Sequence, residues 1–335
     1  MQTPLLSICI PTYNRAEYLE KSLDSLVNQE NFSQIEVVIS DNASTDATSD
    51  VCRKFTERYP NIFYYRNEEN IHDRNFPVVL MKAHGKFRKL YNDNMIHLPE
   101  SIAYLKSVVE SFLSERPFLF FLHGKTGVKS QDEDIYECKN LDDLILSTSH
   151  HFTWLSGFGF WEDDCKNLES EFSLCDTKIW QTHKGLKTAA SRKKSFIITK
   201  KMIELQRIQK RDFSYGLYTV FFQNFPALLF QYERTGLLSE KAIAKVRKHM
   251  LFTLAGGWIG NAQENKTAYF GFQRDFMKLI YEDYRKELYY PAFRAWRFLT
   301  SAKKKVVIGI RDRIKTSLIG GNLIKLKRKL NLRFY

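Results

Sequence analysis

Three polar segments of the sequence contain residue types that could together bind a nucleotide: Pro11-Thr12-Tyr13-Asn14-Arg15, Asp41-Asn42-Ala43-Ser44-Thr45-Asp46 and Asn92-Asp93-Asn94. A nucleotide needs an acceptor for the N–H of its base, an apolar or aromatic surface for the ring, and compensation for the charge of its diphosphate. Asp41 could accept from the base, and Pro11 and Tyr13 could flank the ring. Asp93 could hold a divalent cation against the diphosphate, because carboxylates suit Mg²⁺ and Mn²⁺.

Each segment also has an ordinary structural interpretation. Asp41-Asn42 and Ser44-Thr45 are favoured in turns and at helix N-termini, and Pro11 and Asn14 are common in loops. Taken alone, each motif favours that interpretation. Their joint position after successive predicted strands favours a common ligand.

The elements predicted around these segments place all three at one edge of a sheet. Apolar runs alternate with helical patterns and predict strands over residues 5–10, 35–40, 62–65, 87–91 and 118–122. This alternation predicts an α/β fold with a mainly parallel sheet flanked by helices. The carboxyl ends of parallel strands meet at one edge, where open sheets of this kind bind ligands.

The same segments resemble a known family. Residues 6–15 resemble the start of family 2 glycosyltransferases with the GT-A fold, and residues 37–46 resemble that family's nucleotide-binding stretch. Residues 70–75 resemble its third element, usually Asn-x-Gly-x-x-x-Asn. Here His72 stands at the position of the glycine, and Asn75 comes one residue early. The resemblance is specific over residues 5–100 and traceable to about residue 200.

The resemblance implies a GT-A-like fold and a set of nucleotide-sugar contacts. Asp41 would contact uracil, Pro11 and Tyr13 would line the base pocket, and Arg74 would lie near the base or the phosphates. The remaining expected contacts come from the same segments: Thr12, Asn14, Asn42 and Asp93.

The metal motif of the family is reduced in this chain. The family usually has Asp-x-Asp or a longer acidic run shortly before Leu-x-Pro, whereas this chain has Asn92-Asp93-Asn94-Met95 before Leu98-Pro99. We therefore expect Asp93, with a carbonyl oxygen from Asn94 or Asn92, to hold Mn²⁺ or Mg²⁺ more weakly than is usual. The alternative indicated by the reduced motif is that this chain is a nucleotide-sugar binding module without catalytic activity.

Sugar transfer to a hydroxyl also needs a base for the proton. In the family this is often the Asp of a Glu-Asp pair that opens a helix and is followed by Trp. Cys175-Asp176, ahead of Trp180, resembles this element with Cys175 in place of Glu, so Asp176 is the predicted base. A helix cap is the alternative for Asp176. Its rivals as base are the acids that follow Trp161: Glu162, Asp163 and Asp164.

An aromatic, glycine-containing stretch runs from Trp154 to Trp161. It suits a platform for an acceptor sugar, with Trp154 and Trp161 as the contacts. It suits a packed core equally well, and the sequence does not decide between the two.

Positive charge is concentrated at the C-terminal end. The formal net charge of the 335 residues is +13, and residues 285–335 hold 15 Lys and Arg against 2 Asp and Glu. Apolar positions interleaved with basic ones over residues 303–330 predict amphipathic helices on an anionic membrane surface; a helix packed on the body is the alternative. A neutral body with a basic tail argues against a nucleic-acid binder.

Five scattered cysteines argue against a disulfide framework, and no signal peptide or run of ~20 apolar residues is apparent. We expect a cytoplasmic protein, peripheral on the inner face of the membrane. Its expected parts are a GT-A domain over 1–232, with a nucleotide-sugar half (1–124) and an acceptor half (125–232), and a helical basic extension over 233–335.

The resemblance implies inverting transfer from a UDP-sugar to a glycan or lipid-linked acceptor, as in the synthesis of bacterial capsule or O-antigen. A sugar nucleotidyltransferase is an alternative. It would usually show a Gly-rich basic loop after the first strand, and this chain has none.

Overall fold

The computed structural model describes residues 3–124, 134–206, 216, 218–255 and 276–298. These residues divide into two units, Met1–Met250 and Leu251–Tyr335. The predicted helices over residues 303–330 lie outside the described part of the chain.

Ten strands occur in the described residues. They are β1 (Leu6–Thr12), β2 (Glu36–Asp41), β3 (Ile62–Arg66), β4 (Phe87–Leu90), β5 (Met95–His97), β6 (Phe118–Phe121), β7 (Ile135–Cys138), β8 (Gly159–Trp161), β9 (Ser195–Ile198) and β10 (Ile203–Leu205).

The central sheet has the strand order β3-β2-β1-β4-β8. Its first four strands are parallel, and β8 pairs antiparallel with β4. Every residue of β1 and β2 is buried, as expected for parallel strands covered on both faces. The predicted α/β fold with a mainly parallel sheet is therefore confirmed.

α-Helices accompany the strands in the described residues. They include α1 (Ala16–Val27), α2 (Thr48–Arg58), α3 (Asn75–Lys82), α4 (Ser101–Ser111), α5 (Leu141–Thr148), α6 (Trp180–Ser191), α7 (Phe225–Arg234), α8 (Glu240–Met250) and α9 (Phe276–Tyr284). On α1, Leu19, Leu23 and Leu26 are fully buried, because their spacing places them on one face of the helix.

The predicted fifth strand forms, but it lies in a different sheet. β6 pairs with β9, which also pairs with β7, in a separate three-stranded sheet. The fifth position of the central sheet belongs to β8, from the aromatic stretch that precedes Glu162. The apolar run of β6 is buried throughout, and such a run carries no signal for which sheet it joins.

The boundary between the units falls after Met250, later than the predicted boundary at residue 232. The helix α8 belongs to the first unit because it packs against α5 and α7. Ser239, which directly precedes α8, holds the start of this helix against α5. Its backbone N–H and hydroxyl donate to the Asp142 carboxylate at 2.8 and 2.6 Å.

Most of the described residues of the second unit are helical, with a turn over residues 285–289. Phe252 contacts the rings of Phe293 and Trp296 at centroid distances of 5.4 and 5.8 Å, and these three rings form an aromatic cluster in which Phe293 is fully buried. No helix in the described ranges is both long enough and apolar enough to span a bilayer.

Candidate functional site

The three polar segments meet at the carboxyl edge of the central sheet. Thr12, the last residue of β1, lies opposite Asp41, the last residue of β2. The Thr12 hydroxyl donates to Asp93 Oδ2 at 2.9 Å, which ties the end of β1 to the loop after β4. The fold thus brings together residues that are far apart in sequence.

Asp41 is fully buried, and its carboxylate is already hydrogen-bonded. Its Oδ1 accepts from the Ser44 backbone N–H at 2.9 Å. Its Oδ2 accepts from the Tyr64 hydroxyl at 2.8 Å and from Arg66 at 3.0 Å. Burial, and secondly the bond to Asp41, raise the pKa of Tyr64 to about 12. The Arg66 side chain, which bonds to Asp41 Oδ2, is itself 43% exposed.

Tyr64 and Arg66 were not identified from the sequence. Both lie on β3, two residues apart and therefore on the same face of the strand. This two-residue spacing is the sequence signal that could have identified them. In the strand register, Tyr64 and Arg66 stand opposite Ile39 and Asp41 of β2.

Asn14 joins two loops of the site. Its backbone N–H donates to the Ser44 hydroxyl at 2.8 Å, and its side-chain oxygen accepts from the Thr45 backbone N–H at 2.7 Å. Asn14 therefore aligns the loops after β1 and β2, and its contact with a nucleotide stays a prediction.

Asn42 is buried and holds the loop between β3 and α3. Its amide nitrogen donates to Asn70 Oδ1 at 2.7 Å and to the His72 carbonyl at 3.2 Å. Its oxygen accepts from the Asn67 side chain and from the Ile71 N–H at 3.2 and 2.9 Å. These bonds occupy both N–H donors and the oxygen of the Asn42 side-chain amide. Asn42 therefore shapes the site, and its side chain has no remaining donor or acceptor for a nucleotide.

Three predicted base contacts differ in accessibility. Pro11 is buried within β1, whereas the Tyr13 ring is 42% exposed at the carboxyl edge. Arg74 is exposed at the end of a 3-10 turn, His72–Arg74, which follows the loop held by Asn42. Tyr13 and Arg74 are therefore open to a ligand.

Asp93 is partly buried beside Thr12. Burial raises the pKa of its carboxyl group to about 6, while the hydrogen bond from Thr12 and the charge of Arg15 act in the opposite direction. A cation must displace the proton from a carboxyl group to bind it. Cation binding at Asp93 therefore competes with a proton at mildly acidic pH.

The flanking amides have different surroundings. Asn94 is buried, and its amide nitrogen donates to the Gln206 carbonyl at 3.4 Å. Asn92 is partly buried; its N–H donates to the Ser156 hydroxyl at 2.9 Å, and its Oδ1 accepts from that hydroxyl at 2.6 Å. The Asn92 oxygen already accepts a hydrogen bond, whereas the bond of Asn94 uses its amide nitrogen, so the role of Asn94 as a metal ligand stays a prediction.

A divalent cation fits this site only as a weakly held ion. Within the described residues, no group of three or more His, Cys, Asp or Glu side chains could bind a metal. Asp93 offers one carboxylate oxygen beyond its bond to Thr12. Mg²⁺ is commonly held by one or two carboxylates, with substrate phosphates and water completing its shell. The residues present suit that arrangement.

Asp176 is exposed near the end of a 3-10 helix, Leu168–Thr177. The next helix, α6, is preceded by Ile179, so Asp176 does not cap it. The 3-10 helix packs against the His72–Arg74 turn and against α3. Asp176 therefore lies on an element beside the carboxyl edge, with its carboxylate open to solvent.

The rival acids lie at the other edge of the sheet. Glu162 and Asp163 pair with Arg116 at 3.0 and 2.6 Å, and Asp164 pairs with Arg192 at 2.6 Å. They follow Trp161, which stands opposite Phe87, the first residue of β4. Their position at the opposite edge makes them poorer candidates for the base than Asp176.

Trp161 is a core residue. It is 1% exposed, its indole N–H donates to the Pro117 carbonyl at 2.7 Å, and its ring meets Phe87 edge-on at 4.9 Å. The expectation that Trp161 contacts an acceptor therefore does not hold. Trp154 differs: it is partly buried, 5.5 Å from the His123 ring and two residues before Ser156, and it remains a candidate acceptor contact.

Part of this chain is similar to known glycosyltransferases. Residues 7–108 match Glycosyl transferase family 2. Abequosyltransferase RfbV of Salmonella typhimurium is 35% identical over 157 residues, which cover 45% of this chain and 41% of that protein. The chain thus matches less than half the length of this relative.

Solved structures show the same fold. TarS 1–349 of S. aureus in complex with UDP-GlcNAc has a TM-score of 0.54 at 17% identity, over 76% of this chain and 74% of that one. The mannosyltransferase PcManGT of Pyrobaculum calidifontis, solved with GDP-Man and Mn²⁺, has a TM-score of 0.52 at 15% identity. The match covers 90% of this chain and 85% of that one. The fold is therefore that of the GT-A glycosyltransferases. The match to the glycosyl transferase family 2 model spans residues 7–108, less than a third of this chain.

Proposed function

We propose that this chain transfers a sugar from a UDP-sugar to a hydroxyl group of a glycan or lipid-linked acceptor. The observation that carries the proposal is the meeting of Thr12, Asp41 and Asp93 at one sheet edge, beside the exposed ring of Tyr13. An abequosyltransferase among the relatives and a neighbour solved with UDP-GlcNAc support it.

The base of the donor would lie against Tyr13 and Pro11. Its imide N–H would donate to Asp41 after Arg66 turns away, and Arg74 would face the base or the phosphates. Asp41, buried and fixed by Ser44 and Tyr64, is a rigid acceptor, so the contact loses little side-chain entropy on binding.

The transfer is a single displacement with inversion. The acceptor oxygen bonds to the anomeric carbon as the bond from that carbon to the diphosphate oxygen breaks, and UDP leaves with the electron pair. Asp176 takes the proton of the acceptor hydroxyl. Asp93 would hold a divalent cation, which supplies charge compensation for the leaving diphosphate.

The charge distribution supports a membrane location for the reaction. With 15 Lys and Arg in the last 51 residues, the C-terminal end is suited to an anionic membrane surface. We place the reaction at the cytoplasmic face of the membrane, on a lipid-linked acceptor of a bacterial surface polysaccharide such as capsule or O-antigen.

A thermal-shift panel of UDP-, GDP- and CDP-sugars with and without Mn²⁺ tests the donor assignment. A ligand that binds only the folded state raises the melting temperature. UDP-sugars should stabilise the chain most, and Asp41→Ala should lose about 1.5–3 kcal/mol of that binding energy. Equal UDP affinity in a folded Asp41→Ala variant contradicts the assignment. Tight binding without UDP release would identify a binding module instead.

A further inference from the structure

Lys89 is a fully buried lysine in the middle of β4. Its ammonium group donates to the carbonyl oxygens of Leu90 at 3.0 Å and Phe158 at 3.2 Å, and also to that of Ser156. It lies 4.2 and 4.7 Å from the ring centroids of Tyr91 and Phe121. These contacts use all three N–H donors of an ammonium group, and they include no carboxylate.

The sheet makes room for this side chain. Gly159 stands opposite Lys89 in the register of β8 and β4, and a Cβ atom at Gly159 would lie 3.2 Å from the Lys89 Cδ and still closer to the Phe87 ring. Burial lowers the pKa of the Lys89 amine well below its ordinary value, which shows that the fold disfavours its charged form. An apolar side chain of similar size is often more stable in such a position. Stabilisation of the fold therefore does not explain why a lysine occupies this position.

The contacts of Lys89 lead to Asp93 through one residue. The Ser156 carbonyl accepts from Lys89 and lies 3.1 Å from His123 Nε2, which fixes the Ser156 backbone. The Ser156 hydroxyl accepts from the Asn92 N–H and donates to Asn92 Oδ1. Asn92 immediately precedes Asp93, and Thr12 holds the Asp93 carboxylate from the other side.

We infer that Lys89 and Ser156 are positioning residues that hold the Asn92-Asp93 loop in the geometry needed for sugar transfer. Lys89 fixes the Ser156 backbone against β4, and the Ser156 hydroxyl fixes Asn92. Neither side chain touches the donor. The consequence for turnover rests on the proposed function, whereas the coupling from Lys89 to Asn92 does not.

The coupling is tested by amide hydrogen exchange in Lys89→Met. This variant leaves the Ser156 hydroxyl in place, and the Ser156 and Phe158 carbonyls keep other donors, His123 and the Leu90 N–H. We expect exchange at the Asn92 N–H to accelerate while the amides of β1 and β2 stay protected. A lysine that merely stabilises the fold would change all these amides together or none of them.

The effect on the reaction is tested by Ser156→Ala, with Ser149→Ala as the matched control. Both serines are buried, but the Ser149 hydroxyl has no hydrogen-bond partner within the described ranges. A misplaced catalytic loop commonly costs up to about 100-fold in rate. We expect kcat to fall on the order of 10- to 100-fold in Ser156→Ala and Lys89→Met, with the KM for donor nearly unchanged, and no change in Ser149→Ala.

Each outcome decides the inference. Unchanged exchange at Asn92 in Lys89→Met overturns it whether or not the chain has activity. Faster exchange with wild-type kcat in both variants also overturns it, because the loop geometry would then not matter for transfer. If the unaltered chain releases no UDP from any UDP-sugar, the proposed function fails. The Asn92 exchange then still decides whether Lys89 positions the loop.

Discussion

Asparagines at the carboxyl edge of the sheet show how differently one residue type is used there. Asn14 and Asn42 fix loops through their side-chain amides, and Asn94 is buried against the Gln206 carbonyl. Asn92 is partly buried beside Asp93 and bonds to a hydroxyl that can both donate and accept. The two amides that flank Asp93 should therefore respond differently to an added carboxylate.

Asn92→Asp should strengthen cation binding. An aspartate keeps the acceptor for the Ser156 hydroxyl and adds a second carboxylate beside Asp93, which should lower the dissociation constant for Mn²⁺ about tenfold. Asn94→Asp should instead lose a donor and bury a charge, which should cost about 1–3 kcal/mol of unfolding free energy. Calorimetric titration with Mn²⁺ and thermal melts distinguish the two. Tighter Mn²⁺ binding in Asn94→Asp alone would contradict this account.

Asp93 should also make stability depend on pH. Its pKa is raised from 3.8 to about 6 in the fold, so folding is favoured when the group is protonated, and stability is lost as the pH rises from about 4 to 6. Asp93→Asn should remove this loss. Without metal, it should be more stable than the unaltered chain at pH 7, by on the order of 1–2 kcal/mol after solvent screening, and equally stable near pH 3. If the stability curves of Asp93→Asn and of the unaltered chain run parallel from pH 3 to 7, the pKa of Asp93 is not raised in the fold.

At the scale of elements, the first four strands and the helix α1 could be predicted because apolar runs and helical spacing are local signals. The position of β6 could not, since pairing is decided by distant segments. Trp161 illustrates the same limit. Its aromatic neighbourhood fits a binding platform or a core, and the antiparallel pairing of β8 with Phe87 places it in the core.

The site was partly predictable for the same reason. Polar residues after parallel strands converge by topology, which placed Thr12, Asp41 and Asp93 correctly at one edge. The sequence does not show which polar groups are already satisfied, because the partners of Asn42 lie on another loop. Lys89 was also missed, since one lysine within an apolar strand gives no sign of its burial.

The loop between β3 and α3 offers a test at this scale. His72 has φ of +52°, a left-handed conformation that favours glycine, the residue usual at this position in the family. The unfolding free energy of the His72→Gly variant should be about 1 kcal/mol higher than that of the His72→Ala variant. Both substitutions remove the imidazole, but only glycine relieves the backbone strain. Chemical denaturation of the two variants measures the difference. A more stable alanine variant would contradict the strain, since glycine costs about 1 kcal/mol at an ordinary helical position.

At the scale of the whole molecule, the charge distribution predicts where the chain acts. Removal of residues 299–335 leaves the described residues of both units and removes most of the basic excess. The full chain should sediment with anionic vesicles, less with neutral ones, and less in 1 M salt, where the Debye length falls to about 3 Å. The shortened chain should stay in solution and still bind donor. Equal sedimentation of the two chains would exclude the membrane role of the tail.

The proposed reaction requires Asp176 to accept a proton as a sugar leaves UDP for an acceptor hydroxyl. The most direct measurement is UDP release from a panel of UDP-sugars, with and without acceptor, by the full chain and by Asp176→Asn. We predict acceptor-dependent UDP release by the full chain and a fall in kcat of about 10²- to 10⁴-fold in Asp176→Asn, with UDP-sugar affinity unchanged. Wild-type turnover in Asp176→Asn, or no UDP release by the full chain from any donor, would contradict the account.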